Sequence, residues 1–333
     1  MNKKWMVSAV AFGIMSLLFL CTPLSAGIGD TYEETFNKTV SLSGTGKVDL
    51  SNISGNVVIH TWNRNEVKID ARKVGKSGGG RSAKENIDLV KINIDQSGGT
   101  LVIKTEYPKK TKNVNVSVHY DLNIPVGASI NASSVSGDVE ASDIGGSAKL
   151  STVSGNVESQ NIKGFLNAKS VSGSVKADTV GDGAKVNSVS GSLRARNVTG
   201  DVDGDTVSGS VIIENVKGSV SAKTISGDVR LSDIEGATTV TASSLSGVVQ
   251  YEGDILSGGA YTFKSHSGSV KLAIPSGAAF DLSATTFSGS IDLDFEITMS
   301  GRISRKSVSG SVNGGGAELK ANSFSGSIII RKK

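Results

Sequence analysis

The segment Val135-Ser136-Gly137-Asp138-Val139 is the first clear copy of a phrase that returns along most of the chain. Each copy has an apolar residue, Ser, Gly, usually a small polar residue, and another apolar residue. The phrase recurs at constant spacing at Gly155, Gly173, Gly191, Gly209 and Gly227, and then at slightly wider spacing at Gly247, Gly268, Gly289 and Gly310. A unit this short cannot bury its own apolar face, so such units are stable only when they stack. The repeat therefore predicts a solenoid.

The composition indicates strands rather than helices. The 333 residues include 41 Gly, only 4 Pro and 5% aromatic residues, a composition of small and aliphatic side chains with few helix signals. Weaker copies of the phrase at about half the main spacing give each coil two short strands and two corners; they stand at Gly146, Gly164, Gly200, Gly218 and Gly236. We predict an all-β fold, a flattened parallel β-helix of about 18–21 residues per coil.

Alternation along the strands predicts which residues face the interior. In one coil these are Val135, Gly137, Val139, Ala141, Ile144, Gly146, Ala148, Leu150 and Val153. The recurrent glycine has two explanations: an inward position where the opposed sheets come too close for a side chain, or a corner that needs positive φ. Because the alternation runs through the glycine, we favour the inward position.

The serine before each glycine forms a predicted column. Its members are Ser136, Ser154, Ser172, Ser190, Ser208, Ser226, Ser246, Ser267, Ser288 and Ser309. Such a column is either a ligand-binding comb or a structural ladder of hydroxyls that hydrogen-bond from coil to coil. We favour the ladder.

Residues 27–131 are predicted to be a β-rich lead-in that caps the solenoid. Alternating segments at 57–61, 67–71, 90–94 and 101–103 predict strands, and the last two are joined across Ser97-Gly98-Gly99-Thr100 as a hairpin. Ser82 and Glu85 have capping-box spacing, which predicts one short helix. A longer strand, with alternate apolar residues from Val114 to Ile124 on one face, ends at Pro125.

Residues 132–333 are predicted to be the solenoid with its C-terminal cap. After Gly236 the coils lengthen and aromatic residues return, which suggests a wider cross-section. The final copy, Phe324-Ser325-Gly326-Ser327-Ile328, follows Gly310 at a shorter spacing than any other and precedes a basic tail. We expect it to cover the last open edge.

Residues 1–26 are typical of a secretory signal peptide. Lys3 and Lys4 precede an uncharged run over residues 5–20, and cleavage is expected after Ala26. A retained membrane anchor is the alternative, but the run is shorter than the roughly 20 apolar residues that a spanning helix needs. Lipidation at Cys21 is a second alternative, although the bulky Leu20 does not suit a lipoprotein signal. Cys21 is the only cysteine, so the mature chain would have no disulfide.

The charge balance of the mature chain argues against nucleic acid as a partner. The full sequence has 35 basic and 31 acidic residues, and removal of Lys3 and Lys4 leaves an excess of only two basic residues. No second long apolar run follows the signal peptide, so we expect an extracytoplasmic protein with no transmembrane segment after cleavage. We expect a monomer that binds an envelope protein or a surface polymer.

Several of these features together resemble a bacterial family, the putative-adhesin β-strand-repeat domain of unknown function. They are the signal peptide, the segment at residues 57–67, the Ile124-Pro125-Val126-Gly127 hinge and the repeated Val-Ser-Gly-Asp-Val phrase. The likeness covers residues 36–330. It implies an exported β-solenoid and supplies no catalytic motif, and the longer coils after Gly236 depart from the pattern.

Few residues in the sequence indicate a catalytic, ligand-binding or metal site. His60, His119 and His266 lie apart without a partner at any catalytic spacing. His60 and Trp62 share a strand face, which is either a small binding site or, as we favour, a packed aromatic of the cap. Two acidic strips suggest calcium but fall on solvated strand faces: Asp201, Asp203 and Asp205, and Asp292, Asp294 and Glu296. We predict no catalytic, cofactor-binding or metal site.

The sequence is compatible with three functions. The first is a non-enzymatic envelope protein, adhesin-like or structural, that uses the outer faces of the solenoid for binding. The second is a polysaccharide lyase or hydrolase, which the lack of aromatics disfavours, since Phe165 is the only one between residues 121 and 250. The third is a periplasmic sensing or assembly accessory that binds its partner through the lead-in near Trp62 and Tyr107.

Overall fold

Two long sheets face each other across a continuous apolar core. The computed structural model describes residues 30–299 and 304–333 of the chain. The predicted signal peptide, residues 1–26, lies outside the described residues. The described residues contain one helix and 29 strands, and no helix among them is long and apolar enough to cross a membrane.

The N-terminal elements include the predicted hairpin and helix. They are β1 (Thr31–Ser41), β2 (Lys47–Ser51), β3 (Val57–Trp62), β4 (Glu66–Lys76), α1 (Ala83–Asp88), β5 (Lys91–Ser97), β6 (Thr100–Glu106) and β7 (Val116–Pro125). The Ser82 side chain caps α1 by accepting from the Glu85 amide, and the Glu85 side chain accepts from the Ser82 amide. β5 and β6 pair antiparallel. The capping box, the hairpin and the strand that ends at Pro125 are confirmed.

The central strands alternate between the two sheets. They are β8 (Ser129–Ser136), β9 (Val139–Ser142), β10 (Ala148–Ser154), β11 (Val157–Ile162), β12 (Leu166–Ser172), β13 (Val175–Val180), β14 (Ala184–Asn187), β15 (Leu193–Thr199), β16 (Val202–Asp205), β17 (Val211–Lys217), β18 (Val220–Ser226), β19 (Val229–Glu235), β20 (Thr239–Ser246), β21 (Val249–Gly253), β22 (Ala260–Ser267) and β23 (Val270–Ile274). Each coil contributes one strand to each sheet, and neighbouring coils pair in parallel.

The C-terminal strands complete both sheets. They are β24 (Phe280–Thr286), β25 (Ile291–Leu293), β26 (Thr298–Met299), β27 (Ser307–Val312), β28 (Ala317–Ser323) and β29 (Ile328–Lys332). Sheet A runs in the order β1-β4-β7-β3-β9-β11-β13-β15-β17-β19-β21-β23-β29-β25. Sheet B runs in the order β26-β27-β24-β28-β22-β20-β18-β16-β14-β12-β10-β8-β2-β6-β5. The predicted all-β solenoid is confirmed.

The first coil of the repeat lies inside the lead-in. Ile53-Ser54-Gly55-Asn56-Val57 is a copy of the phrase that we did not identify in the sequence, and it joins β2 to β3. β2 pairs with β8 and β3 with β9, so this coil stacks directly on the coil of Gly137. The division of the chain at residue 131 stays a prediction, and β8 crosses it.

The last copy of the phrase does not cap the stack. β28 lies between β22 and β24, and β29 lies between β23 and β25, so the coil of Gly326 is inserted between those of Gly268 and Gly289. The expectation of a terminal cap at Phe324–Ile328 was therefore wrong, because sequence order and spatial order differ at this end. The copy at Gly310 does not form a coil either, since β27 pairs antiparallel with β24.

The residues that face the interior match the prediction except at the phrase, where the residue before the serine faces solvent. Val135 and Val153 are exposed, whereas Ser134 and Thr152, one residue earlier, are buried. Val139, Ala141, Ile144, Ala148 and Leu150 are buried as predicted. The alternation breaks at the corner, where two consecutive residues, such as Val135 and Ser136, both face solvent.

The phrase glycines are corner residues, not inward ones. Gly137 and Gly209 have φ of 134° and 144°, which lies in the region that side chains disfavour. A Cβ on Gly209 would also lie 2.6 Å from the carbonyl carbon of Gly191 in the preceding coil. Our preference for crowding by the opposed sheet was wrong, because the crowding comes from the coil next to it along the stack.

A buried hydroxyl fixes each of these corners. Three residues before nine of the phrase glycines, a Ser or Thr side chain points inward and donates a hydrogen bond of 2.8–2.9 Å to the carbonyl of the phrase glycine in the adjacent coil. The pairs are Thr152 to Gly137, Ser170 to Gly155, Ser188 to Gly173, Thr206 to Gly191, Thr224 to Gly209, Ser244 to Gly227, Ser265 to Gly247, Ser323 to Gly268 and Thr286 to Gly326. Ser134, before Gly137, donates to the Gly55 carbonyl at 3.4 Å.

The second corner of the coils is formed by residues with positive φ other than glycine. In the six coils from Gly137 to Gly227, one non-glycine residue per coil has φ between 54° and 61°; these are Asp143, Asn161, Thr179, Asn197, Asn215 and Asp233. Asn and Asp tolerate this conformation better than other side chains. The Asn161 amide donates to Asp143 and the Asn215 amide donates to Asn197, so this corner carries a ladder of side-chain hydrogen bonds.

Aromatic residues fill the core where the coils lengthen. Tyr251, Tyr261, Phe263 and Phe280 are buried, and the rings of Tyr251 and Phe263 lie 4.9 Å apart. Burial raises the pKa of the Tyr251 hydroxyl, which donates to the Asp254 carbonyl. These large side chains agree with a wider cross-section after Gly236.

Replacement of Thr206 by Val tests the buried hydroxyl. Val keeps the shape of the side chain but leaves the Gly191 carbonyl without its side-chain donor, which we expect to cost about 1–3 kcal/mol. Thr206→Ser retains a hydroxyl of the kind found at Ser170 and Ser188 and should cost less. Chemical denaturation of both variants measures the difference, and equal losses would contradict the role of the hydrogen bond.

Replacement of Gly209 by Ala tests the corner. The new methyl group would clash with the Gly191 carbonyl and would sit on a residue with φ of 144°, so we expect a loss of about 3 kcal/mol or more. Gly277→Ala is the control, because no atom lies within 4 Å of its added Cβ. Thermal unfolding should leave the Gly277 variant close to the unmodified protein, and a comparable loss in both variants would refute the argument.

Candidate functional site

At the corner formed by the phrase, the residue before each phrase serine lies at the surface of its coil. We call this column the corner ridge; in stacking order it contains Ile53, Val135, Val153, Val171, Val189, Val207, Ile225, Leu245, His266, Phe324 and Phe287. Ten of the eleven are hydrophobic. Val135 is 49% exposed, Leu245 50% and Phe287 65%. The ridge arises because the preceding residue turns inward to bind the glycine carbonyl, which directs the apolar residue outward.

The ridge ends in a stack of rings. His266 lies parallel to Phe324 with ring centroids 4.7 Å apart, and Phe324 lies parallel to Phe287 at 4.8 Å. The Lys306 ammonium lies 5.8 Å from the centroid of Phe287, within the range of a cation–π contact. A shallow cavity beside these rings is lined by Lys264, Ser265 and Thr286 as well. The rings therefore form the widest apolar part of the ridge.

The serine column runs beside the ridge and is exposed. The backbones of Ser172, Ser190 and Ser208 bridge from coil to coil, and the Ser54 hydroxyl contacts the Ser117 hydroxyl at 3.1 Å. Within residues 30–299 and 304–333, the hydroxyls of the predicted column make no hydrogen bond to one another. The preference for a hydrogen-bonded ladder at these serines was wrong, because the hydroxyls that bond between coils lie two residues earlier and inside. Ser309 lies on β27, outside the column.

His60 and Trp62 lie on the outer face of sheet A. The His60 Nδ1 lies 2.9 Å from the Ser142 hydroxyl, and the Trp62 indole donates to the Glu66 carbonyl at 2.7 Å. The Arg64 guanidinium covers the Trp62 ring at 4.9 Å. Trp62 is half-buried by these local contacts, as expected of a packed aromatic, while His60 stays exposed at one end of a groove.

The groove beside His60 has a volume of about 330 Å³ and crosses five coils of sheet A. Glu140 and Glu158 line one end and Lys176, Arg194 and Arg196 line the other, where Asp178 is the one acidic residue. No sequence pattern indicated this grouping, because residues from five different coils meet only when the coils stack.

The structure does not bring the three histidines together. His119 lies on β7, where its Nδ1 accepts from the Asn56 amide at 3.3 Å. Burial, with a smaller contribution from Arg72, lowers the pKa of His119. His266 belongs to the ring stack of the ridge. Tyr107, the other aromatic of the lead-in hypothesis, is more than half buried and donates to the Val116 carbonyl at 2.8 Å.

The acidic strips are held by contacts within the chain. Arg331 pairs with Asp292 and Asp294 of the second strip, and Lys185 pairs with Asp203 of the first. The Asp201 carboxylate accepts from the Ser219 amide at 2.8 Å. In the part of the chain that the structure describes, no group of three or more His, Cys, Asp or Glu residues is arranged to hold a metal ion.

The family model described as Toastrack DUF4097 matches residues 45–254 of the chain. This match begins in the first coil, before β2, and ends after β21. No curated protein is similar enough to the chain to match it.

Three solved structures illustrate the similarity to known folds. A putative cell adhesion protein from Clostridium sporogenes is 13% identical, with 91% of this chain and 100% of that chain covered and a TM-score of 0.27. A putative adhesin from Bacteroides fragilis is 13% identical, with 90% and 97% covered and a TM-score of 0.37. A putative lipid binding protein from Parabacteroides distasonis is 11% identical, with 92% and 98% covered and a TM-score of 0.34.

Asp205, in the first acidic strip, makes the stability of the fold depend on pH. Its Oδ1 is buried without a hydrogen-bond partner, and burial, with a smaller contribution from Asp203, raises the pKa of its carboxyl. A raised pKa in the folded chain stabilises the fold below the unfolded pKa of about 4, and this contribution is lost as the pH rises through the folded pKa. We therefore expect Asp205→Asn to raise the melting temperature at pH 7 by up to about 2 °C and to have less effect near pH 3.

Asp201→Asn is the matched control, because the Asp201 carboxylate already accepts a backbone hydrogen bond. Its melting temperature should not rise at pH 7. A gain of the same size in both variants would show that general charge removal, and not the buried oxygen of Asp205, is responsible.

Proposed function

The chain belongs to the Toastrack DUF4097 family, and we propose that this member is an exported, non-enzymatic protein of the cell envelope whose solenoid binds a partner along the corner ridge. The observation that carries the proposal is the column of eleven side chains from Ile53 to Phe287, ten of them hydrophobic, in which nine hydrophobic side chains are exposed and Val171 is half-buried. Eleven coils at about 4.8 Å give the ridge a length of about 48 Å.

The ridge is more than a set of scattered surface hydrophobics. Single exposed apolar residues are ordinary on soluble proteins, whereas contiguous apolar surface marks an interaction site. Here the register places the ridge side chains of neighbouring coils one strand spacing apart, about 4.8 Å, so the exposed apolar residues follow one another in a line. The neighbouring column carries only serine, and the longer side chains of the ridge therefore project beyond it.

The shape of the ridge indicates the chemistry of its partner. A narrow apolar line bordered by hydroxyls suits an extended or helical segment of an envelope protein that presents its own apolar stripe lengthwise. The ring stack at Phe287 offers the largest apolar contact and is the part where we expect binding energy to concentrate, as aromatic side chains dominate protein interfaces.

The location of the protein separates the two roles that this binding would serve. A surface-exposed solenoid would act as an adhesin, while a periplasmic solenoid would act as an accessory to an envelope protein. Protease treatment of intact cells, compared with a periplasmic extract, distinguishes them. Cleavage on whole cells supports the surface role, and protection with release in the periplasmic extract supports the accessory role.

Lysine substitutions in alternate coils test the ridge. The variant Val153→Lys, Val189→Lys and Ile225→Lys interrupts the apolar column with charges that are two coils apart and remain in solvent. The unmodified protein is used to isolate a partner from envelope extract, and its dissociation constant is then measured for each variant. We expect the ridge variant to bind at least about 10-fold more weakly.

The matched control carries the same three charges on the outer face of sheet B, as Ser151→Lys, Asn187→Lys and Ser243→Lys. It should bind within about twofold of the unmodified protein, since these residues lie off the ridge. Equal binding by the ridge variant and the unmodified protein would refute the proposal. Cleavage of any glycan in a panel of acidic and neutral polysaccharides would refute its non-enzymatic part.

A further inference from the structure

The outer face of sheet A carries a column in which charges change sign half-way along the solenoid. The column takes one side chain from each of eight neighbouring strands of sheet A, and the strand register places Asp121, Val58, Glu140, Glu158, Lys176, Arg194, Ile212 and Arg230 in that order. All eight side chains are exposed or half-buried. Three acids occupy one half and three bases the other.

This order is palindromic with inverted sign. From the midpoint between Glu158 and Lys176, each step outward meets an acid on one side and a base on the other, or an apolar residue on both sides. A two-fold axis through that midpoint, parallel to the strands, turns the face onto a second copy and reverses the direction of the stack. Such an axis gives an interface in which the same surface of each copy is used.

We propose that two copies of this chain associate through the outer faces of sheet A, with their solenoid axes antiparallel. Glu158 then faces the partner's Lys176, and Glu140 faces the partner's Arg194. Val58 meets the partner's Ile212 in an apolar contact on either side of the central charges. The dimer replaces the monomer that we expected from the sequence, and it uses a different face from the corner ridge.

The second column on the same face fits this arrangement. In register it reads Asn123, His60, Ser142, Gln160, Asp178, Arg196, Glu214 and Ser232. The same axis places His60 opposite the partner's Glu214 and Ser142 opposite the partner's Arg196. No like charges oppose each other in this column. The groove of about 330 Å³ that separates the columns crosses the axis and gives the opposing side chains room.

The central charges are available for contacts between copies. Among the described residues, Glu140 and Arg194 have no ion pair within the chain. Glu158 and Lys176 pair with each other at 3.3 Å, but both side chains are more than half exposed, so their pair is weak and the two groups can also meet a partner.

The size of the face predicts a weak dimer. Eight strands about 4.8 Å apart, each of about five residues, give roughly 600 Å² per copy, below the roughly 800 Å² typical of stable complexes. Because the contacts are mainly charged and solvent-exposed, added salt should weaken them. We expect association in the micromolar range at low salt and at least about 10-fold weaker association at about 0.5 M salt.

Charge reversal at the unpaired positions tests the interface by sedimentation. Glu140→Arg alone and Arg194→Glu alone each set two pairs of like charges against each other across the axis, so each should weaken association by at least about 30-fold. An equimolar mixture of the two variants should associate as the unmodified protein does, because each copy again faces an opposite charge. The double variant should also recover association by itself.

The design keeps folding separate from association. Each substitution places the new charge beside one of opposite sign in the adjacent coil, Glu158 or Lys176, so the fold should not be weakened. Lys149→Glu on the outer face of sheet B is the control and should leave association unchanged. A monomeric unmodified protein at about 100 µM and low salt, or a mixture that fails to recover, would overturn the proposal. Loss of association in the Lys149 variant would show a general charge effect and overturn it as well.

Discussion

The hydrogen bond from a buried hydroxyl to a glycine carbonyl of the adjacent coil is the interaction on which the solenoid depends. At this corner the chain turns between two sheets, and the glycine carbonyl points toward a buried hydroxyl, as the Gly191 carbonyl does toward Thr206. An unsatisfied group there would cost about 1–3 kcal/mol in every coil. Thr206 and its equivalents satisfy it, and the absence of a Cβ at Gly209 lets the coils approach closely enough for the bond to form. The hydroxyl and the glycine therefore act together to form the corner.

The same hydrogen bond determines which side chains face solvent at the corner. Because the residue before the ridge must turn inward, the next two residues both face outward, and one of them is apolar in nearly every coil. The corner geometry therefore explains where the ridge lies. It does not explain why the ridge residues are apolar. The position needs only an outward side chain, and a small polar residue would fill it, as the neighbouring serine column demonstrates. The aliphatic and aromatic residues at this position are what the interaction hypothesis explains.

Local features of the fold could be predicted from the sequence, whereas features that depend on the stack could not. The period, the capping box at Ser82 and the strand that ends at Pro125 follow from residues close together in the chain. The direction of Val135 was predicted wrongly because strict alternation was carried through a corner. The place of the Gly326 coil was missed because a repeat fixes the shape of a coil and not its order in space. Asp121 and Val58 are adjacent in the structure but far apart in the sequence, so the charge palindrome becomes visible only in the assembled sheet.

The ends of the solenoid explain why its binding surfaces lie along its sides. A parallel stack exposes unpaired backbone groups at both ends and would add further copies there unless the edges were blocked. Here β4 pairs antiparallel with β7 in sheet A at one end, and β27 pairs antiparallel with β24 in sheet B at the other. Sheet A keeps its parallel pairing at that second end, where β25 pairs with β29. The edge strand β25 has only three residues, and its Asp292 is already paired with Arg331. With end-to-end growth blocked in this way, the long faces and the corner remain for contact with other molecules. The ridge extends over eleven coils, and the charge pattern on the outer face of sheet A extends over eight neighbouring strands.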